Sequence, residues 1–61
     1  LIPSKPVYLN AVRIADASTW FEVAEIVSRV TGFNFTKSIQ HYGSEGPLGF
    51  YVTLRSNIVN S

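Results

Sequence analysis

The sequence predicts an α+β fold, a two-layer sandwich of order β-α-β-β in which one amphipathic helix packs on a small three-stranded sheet. Three observations carry that expectation. Residues 19–31 repeat apolar side chains at helical spacing, residues 33–42 and 48–55 alternate apolar with polar side chains, and turn-forming residues separate these segments. A helix with one apolar stripe and a sheet with one apolar face leave water most simply by covering each other.

Residues 1–6 (Leu-Ile-Pro-Ser-Lys-Pro) hold two prolines. Each removes a backbone donor and restricts its predecessor, so an extended lead-in or linker is expected before a single domain over residues 7–55. Val7–Ile14 is rich in strand-forming residues, but Val7, Leu9 and Ala11 fall in one phase of a period-two pattern, and Val12 and Ile14 in the other. A regular strand cannot turn both sets to one face. A bulge near Asn10-Ala11, or a strand covered on both sides, is therefore expected. Ala15–Ser18 reads as a short turn.

The helix follows. Thr19 and Glu22 have capping-box spacing, with Asp16 or Ser18 as alternative caps. Trp20, Val23, Val27 and Val30 form the stripe, widened by Ala24 and Ile26; Glu25 and Arg29 are spaced for an ion pair, and Gly32 ends the helix. In Phe33–Tyr42, Phe33, Phe35 and Ile39 are expected to face inward, with Asn34 and Thr36 on the open sheet face beside Tyr51 and Thr53. Gly43–Pro47 reads as the hairpin connection to Leu48–Arg55, whose Leu48, Phe50, Val52 and Leu54 point inward. Residues 56–61 read as a tail, or as the start of a truncated second helix capped by Ser56 or Asn57.

Composition narrows the function. A chain of 61 residues makes one domain, and at that size only ~60% of the unfolded surface is buried. Disulfides, metals or partners usually compensate. There is no cysteine and a single histidine, His41, which excludes a disulfide framework, a cysteine-based zinc site and a multi-histidine metal site. No cofactor is expected, and partner contacts remain. Lys5, Arg13, Arg29, Lys37 and Arg55 alternate along the chain with Asp16, Glu22, Glu25 and Glu45. Nucleic-acid binders gather their cations on one face, so nucleic acid is not the expected partner. No run approaches the ~20 apolar residues of a membrane span, so this segment is not expected to insert into a membrane. The chain starts at Leu1 without a signal-like stretch, as expected of a processed protein or a segment of a longer one.

No enzyme site is expected. His41 lies four residues from Glu45, but a catalytic histidine needs a nucleophile and an orienting carboxylate held in place, and Glu45 sits among glycines. Asp16, Glu22 and Glu25 are explained by the preference of helix starts for acids. The segment Gly43–Gly49 lacks the Lys-Ser/Thr ending of a phosphate loop. Asn34-Phe35-Thr36 fits a glycosylation acceptor pattern, which matters only on a glycosylating secretory route. The aromatics are more informative. Trp20 reads either as core between the layers or as an exposed anchor, and Tyr8, Phe21 and Tyr51 pose the same choice, because so small a core cannot hide every ring. With Thr53 and Arg55 on the last strand, these are the candidate partner contacts. The expected function is non-enzymatic protein binding. A small structural subunit of another assembly, such as a phage or virion component, is the alternative.

Residues 6–55 resemble the short N-terminal periplasmic domains of bacterial secretins and of TonB-dependent receptors, those of type IVb pilus secretins above all. The resemblance lies in Val7-Tyr-Leu9, Val23-Ala-Glu-Ile-Val27, Val30-Thr-Gly-Phe-Asn-Phe35 and Tyr51-Val-Thr-Leu54. The second helix usual in that family is not completed here, and Trp20 and the two early prolines are not family marks. The resemblance implies the periplasmic part of an outer-membrane secretion or pilus channel, packed in a ring by self-association and docking inner-membrane machinery. It supplies no catalytic residue.

Overall fold

A computed structural model describes residues 3–55. The expected tail, residues 56–61, lies outside them. The elements run β1 (Lys5–Leu9), β2 (Val12–Ala17), α1 (Trp20–Thr31), a 3-10 turn (Ile39–Tyr42), β3 (Gly43–Gly46) and β4 (Gly49–Val52). One helix packs on one face of a sheet, the expected α+β layering, but the sheet has four strands in the order β2-β1-β4-β3. The central pair β1 and β4 is parallel, and each outer pair is antiparallel.

The fourth strand comes from the segment in which one irregular strand was expected. Asn10 and Ala11 both take positive φ, 49° and 69°, and turn the chain back on itself. That is the conformation of a two-residue hairpin loop, and it places Leu9 opposite Val12. The phase change is thus a reversal of direction. A bulge does occur, but the register slips at Val7/Tyr8, where β2 passes Ile14 between Ala15 and Arg13. Ala15–Ala17, expected as a turn, continues β2, and Lys5 and Pro6 already belong to β1.

The helix forms as its sequence dictates. The Glu22 N–H donates to Thr19 Oγ1 at 3.3 Å, and the Glu22 carboxylate accepts from the N–H groups of Ser18 at 2.6 Å and Thr19 at 3.3 Å. These bonds satisfy the Glu22 donor in the first turn and the two N–H groups that precede the helix. Gly32, at φ 82°, ends the helix with its N–H on the Ser28 carbonyl at 2.9 Å. Val23, Ala24 and Val27 are buried, and Trp20 and Ile26 pack partly against the core. Val30 does not belong to the stripe: it is exposed, and Thr31 is buried in the last turn. The Thr31 hydroxyl donates to the Val27 carbonyl at 2.8 Å, which removes the penalty of burying it. Among the described residues the ion pairs are Lys5–Glu45 and Arg13–Asp16, so the expected Glu25–Arg29 pair is not formed.

Residues 33–42 are not a strand despite their alternation. Side chains take the donors a sheet would use: Phe33 N–H donates to Thr31 Oγ1 at 3.3 Å, and Phe35 N–H to Ser28 Oγ at 2.9 Å. Asn34 Oδ1 then accepts from both the N–H and the hydroxyl of Thr36, a local turn of the kind that competes with a ladder. Phe35 and Ile39 still reach the core, whereas Phe33 is exposed, and Asn34 and Thr36 lie in this loop and not on the sheet.

Gly43–Gly46, expected as a hairpin connection, is instead β3, and the turn is Pro47-Leu48. A Cβ on Gly43 would run into the Tyr51 carbonyl, and one on Gly49, at φ 149°, would lie 2.5 Å from the Pro6 carbonyl oxygen. Glycine thus permits close strand approach at both places. Lys5 crosses the sheet to hold β3, its ammonium donating to Glu45 Oε2 at 2.5 Å and to the Gly46 carbonyl at 3.1 Å. On β4, Phe50 and Val52 face inward as expected, and Leu54 follows them into the core beyond the strand's end. Leu48, in the turn, is 75% exposed.

Candidate interaction surface

In a sheet, neighbours in register share a face. The register therefore sets Arg13 (β2), Tyr8 (β1), Tyr51 (β4) and Ser44 (β3) in one row across the sheet. Val7, Leu9, Phe50 and Val52, alternate to these positions, are buried beneath the helix. The row consequently occupies the other face, which no helix among the described residues covers.

Tyr8 and Tyr51 stack with ring centroids 5.3 Å apart and planes 6° from parallel. Stacked rings on adjacent strands stand on edge and present a ridge. Arg13, at one end of the row, donates to Asp16 Oδ1 at 2.6 Å. That hydrogen bond, and then the carboxylate's charge, raises the pKa of the guanidinium above its ordinary value. Its cation thus persists at every pH the fold would meet. Ser44, at the other end, leaves the outer side of Tyr51 uncrowded.

Below the ridge lies an open groove of about 310 Å³, lined by Tyr8, Ala11, Tyr51, Val52 and Thr53. Backbone bonds build its floor. Asn10 N–H donates to the Val52 carbonyl at 2.8 Å, and Thr53 N–H donates to the Tyr42 carbonyl at 2.9 Å. Arg55, exposed, lies beyond the end of β4 and does not line the groove. Tyr8, Tyr51 and Thr53, three of the candidate contacts, are thereby gathered at this groove.

Trp20 and Phe21 are not. Trp20 sits on the helix side, half-buried, its ring 5.0 Å from that of Phe50 and nearly perpendicular at 76°. It packs against the core between the layers while part of its surface stays exposed. Phe21 is 65% exposed and, with Trp20, Thr36, Lys37, Ile39 and Gln40, borders a separate groove of about 240 Å³. Ala11, Arg13 and Ser44 were not foreseen as surface residues. The signal for Ala11 and Arg13 was the phase change after Leu9, which a two-residue turn explains.

Three of the four acidic side chains have structural partners. Asp16 holds Arg13, Glu45 holds Lys5, and Glu22 caps the helix. Glu45 is thus directed to Lys5 and not to His41, and no cluster of three metal-ligating side chains occurs among the described residues. Among them, too, no helix is long and apolar enough to cross a membrane. No protein-family model, curated protein or solved structure matches the chain.

Proposed function

We propose that this chain is a non-enzymatic protein-interaction module, the periplasmic docking and ring-forming domain of an outer-membrane secretion or pilus channel. The observation that carries the interaction reading is the Tyr8–Tyr51 ridge on the sheet face opposite the helix. Two aromatic rings held outside the core are the kind of rigid anchor on which protein interfaces concentrate their binding energy. The strands β2 and β3 end the sheet on either side, and unpaired strand edges accept further strands. The envelope channel is supported by the resemblance of residues 6–55 to secretin domains.

Electron microscopy of the envelope assembly that contains this chain tests the reading. The expected result is a ring with this domain on its periplasmic side, lost or disordered in the double variant Tyr8→Ser, Tyr51→Ser while the domain remains folded. A chain found only as dispersed monomers, with or without the tyrosines, would overturn it.

A further inference from the structure

β4 fills a slot in the sheet. It lies between β1, to which it runs parallel, and β3, to which it runs antiparallel. The groups that hold it come from earlier in the chain. The Val52 carbonyl accepts from the Asn10 N–H, the Thr53 N–H donates to the Tyr42 carbonyl, and the Leu54 N–H donates to the Asn10 side chain. Lys5 passes its ammonium over the Phe50 ring, 5.1 Å from the centroid, to reach Glu45 and the Gly46 carbonyl. Residues 5–46 thus form a receptacle whose walls, β1 and β3, are tied together by one lysine. Residues 49–55 are its filling.

Pro47-Leu48 alone joins the filling to the receptacle, and its hand is wrong for a tight hairpin. A two-residue loop follows the twist of its strands when its first residue, or both, take positive φ. The Asn10-Ala11 turn does so, at 49° and 69°. Pro47 cannot, because its ring fixes φ at about −65°, and Leu48 is not among the described residues with positive φ. A turn of this hand splays the strands it joins. The chain then enters β4 through Gly49 at φ 149°, a conformation that residues with a β-carbon rarely adopt. An extended segment, by contrast, accepts the φ that Pro47 must keep.

We propose that two copies of this chain exchange β4: Pro47-Leu48 straightens, and residues 49–55 of each copy fill the receptacle of the other. Identity fixes the occupant, since the segment that fits the slot within one copy fits it equally in a second. Each contact of β4 with its walls is made again between copies, so the closed and exchanged forms differ at the turn. Opening removes the connection whose hand disagrees with the sheet, and protein concentration decides how far exchange proceeds. Three extended steps from residue 46 to residue 49 span about 10 Å, so the two copies meet at their turn ends. The exchange goes beyond the interaction reading and does not use the tyrosine ridge as a contact.

The sequence has no cysteine, so the pair Ser44→Cys, Tyr51→Cys reports which chain supplies β4. These positions are in register across β3 and β4, about 5 Å apart and within reach of a disulfide. The full chain carrying both is unfolded in urea, refolded at high and at low concentration, separated by size and oxidised. The expected result is a dimer fraction several-fold larger after concentrated refolding, whose chains stay joined in a denaturing gel until reductant is added. The monomer fraction should give single chains. Pro47→Asn with Leu48→Gly, in the otherwise unaltered chain, supplies a turn of the matching hand and should lower the dimer fraction several-fold. No dimer at any concentration, a dimer whose oxidised chains separate in the denaturing gel, or a dimer fraction indifferent to the turn substitutions would each overturn the proposal. Because Tyr51 is replaced in the cross-linking variant, exchange is read without the ridge, and its failure leaves the interaction reading standing.

Discussion

Asn10 and Leu54, 44 positions apart, are joined by a hydrogen bond of 2.8 Å from the Leu54 N–H to the Asn10 side-chain oxygen. Asn10 is also the first residue of the β1–β2 turn, and its own N–H donates to the Val52 carbonyl. One side chain thus ties the hairpin to the chain leaving β4, and holds the floor of the groove in place. Replacing Asn10 by alanine removes the acceptor from a part-buried N–H and puts a β-carbon residue without local compensation at positive φ. The expected loss is about 2 kcal/mol. It is measured by urea unfolding, with an unchanged slope showing that stability alone has altered.

The neighbouring residue should respond in the opposite direction. Ala11 holds φ 69° without a side chain able to stabilise that conformation. Ala11→Gly is expected to raise stability by about 1 kcal/mol, read as a higher urea midpoint. A midpoint that falls or stays unchanged would show that the positive φ of Ala11 carries no cost.

The capping box offers a local test. Thr19→Ala withdraws the acceptor from the Glu22 N–H and should cost about 1 kcal/mol. Loss of helical circular dichroism at a lower denaturant concentration is the readout, and a Thr19→Ser control should retain most of the stability.

Gly43→Ala probes the strand that was read as a loop. The added methyl would meet the Tyr51 carbonyl, so β3 must shift away from β4, at an expected cost of about 3 kcal/mol. Hydrogen exchange at the Tyr51 and Thr53 amides should accelerate more than at Val27 in the helix. Uniform acceleration would mean that β3 is not a separately yielding edge.

Trp20 reports on the layer between helix and sheet, since it is the single tryptophan and packs edge-on to Phe50. Phe50→Leu removes the ring contact while keeping an apolar side chain. It should cost roughly 1–2 kcal/mol and change the tryptophan emission. An unchanged spectrum would show that Trp20 does not rest on that ring.

The helix was legible from residues 19–32 because its start, face and end are set by bonds spanning about four residues: Thr19 with Glu22, and Ser28 with Gly32. The inward placement of Phe50, Val52 and Leu54 was legible for a similar reason, since alternation needs only the strand itself. Tyr8 and Tyr51 were recognisable as rings in excess of the core. Their stacking was not, because it depends on β1 and β4 lying side by side, and nothing local to either strand announces its neighbour.

Where the apolar or turn pattern of a segment disagreed with the hydrogen bonds open to it, the hydrogen bonds prevailed. Phe33, Phe35 and Ile39 alternate like a strand, yet Ser28 and Thr31 capture the backbone donors. Gly43–Gly46 has the composition of a turn, yet Lys5, forty residues earlier in the chain, fastens it as an edge strand. Short-range chemistry therefore specified one capped helix, one apolar strand and a surplus of aromatic surface. The number of strands, their order, and the meeting of Tyr8 with Tyr51 arose from contacts between distant segments, whose energies exist only after the chain has closed on itself.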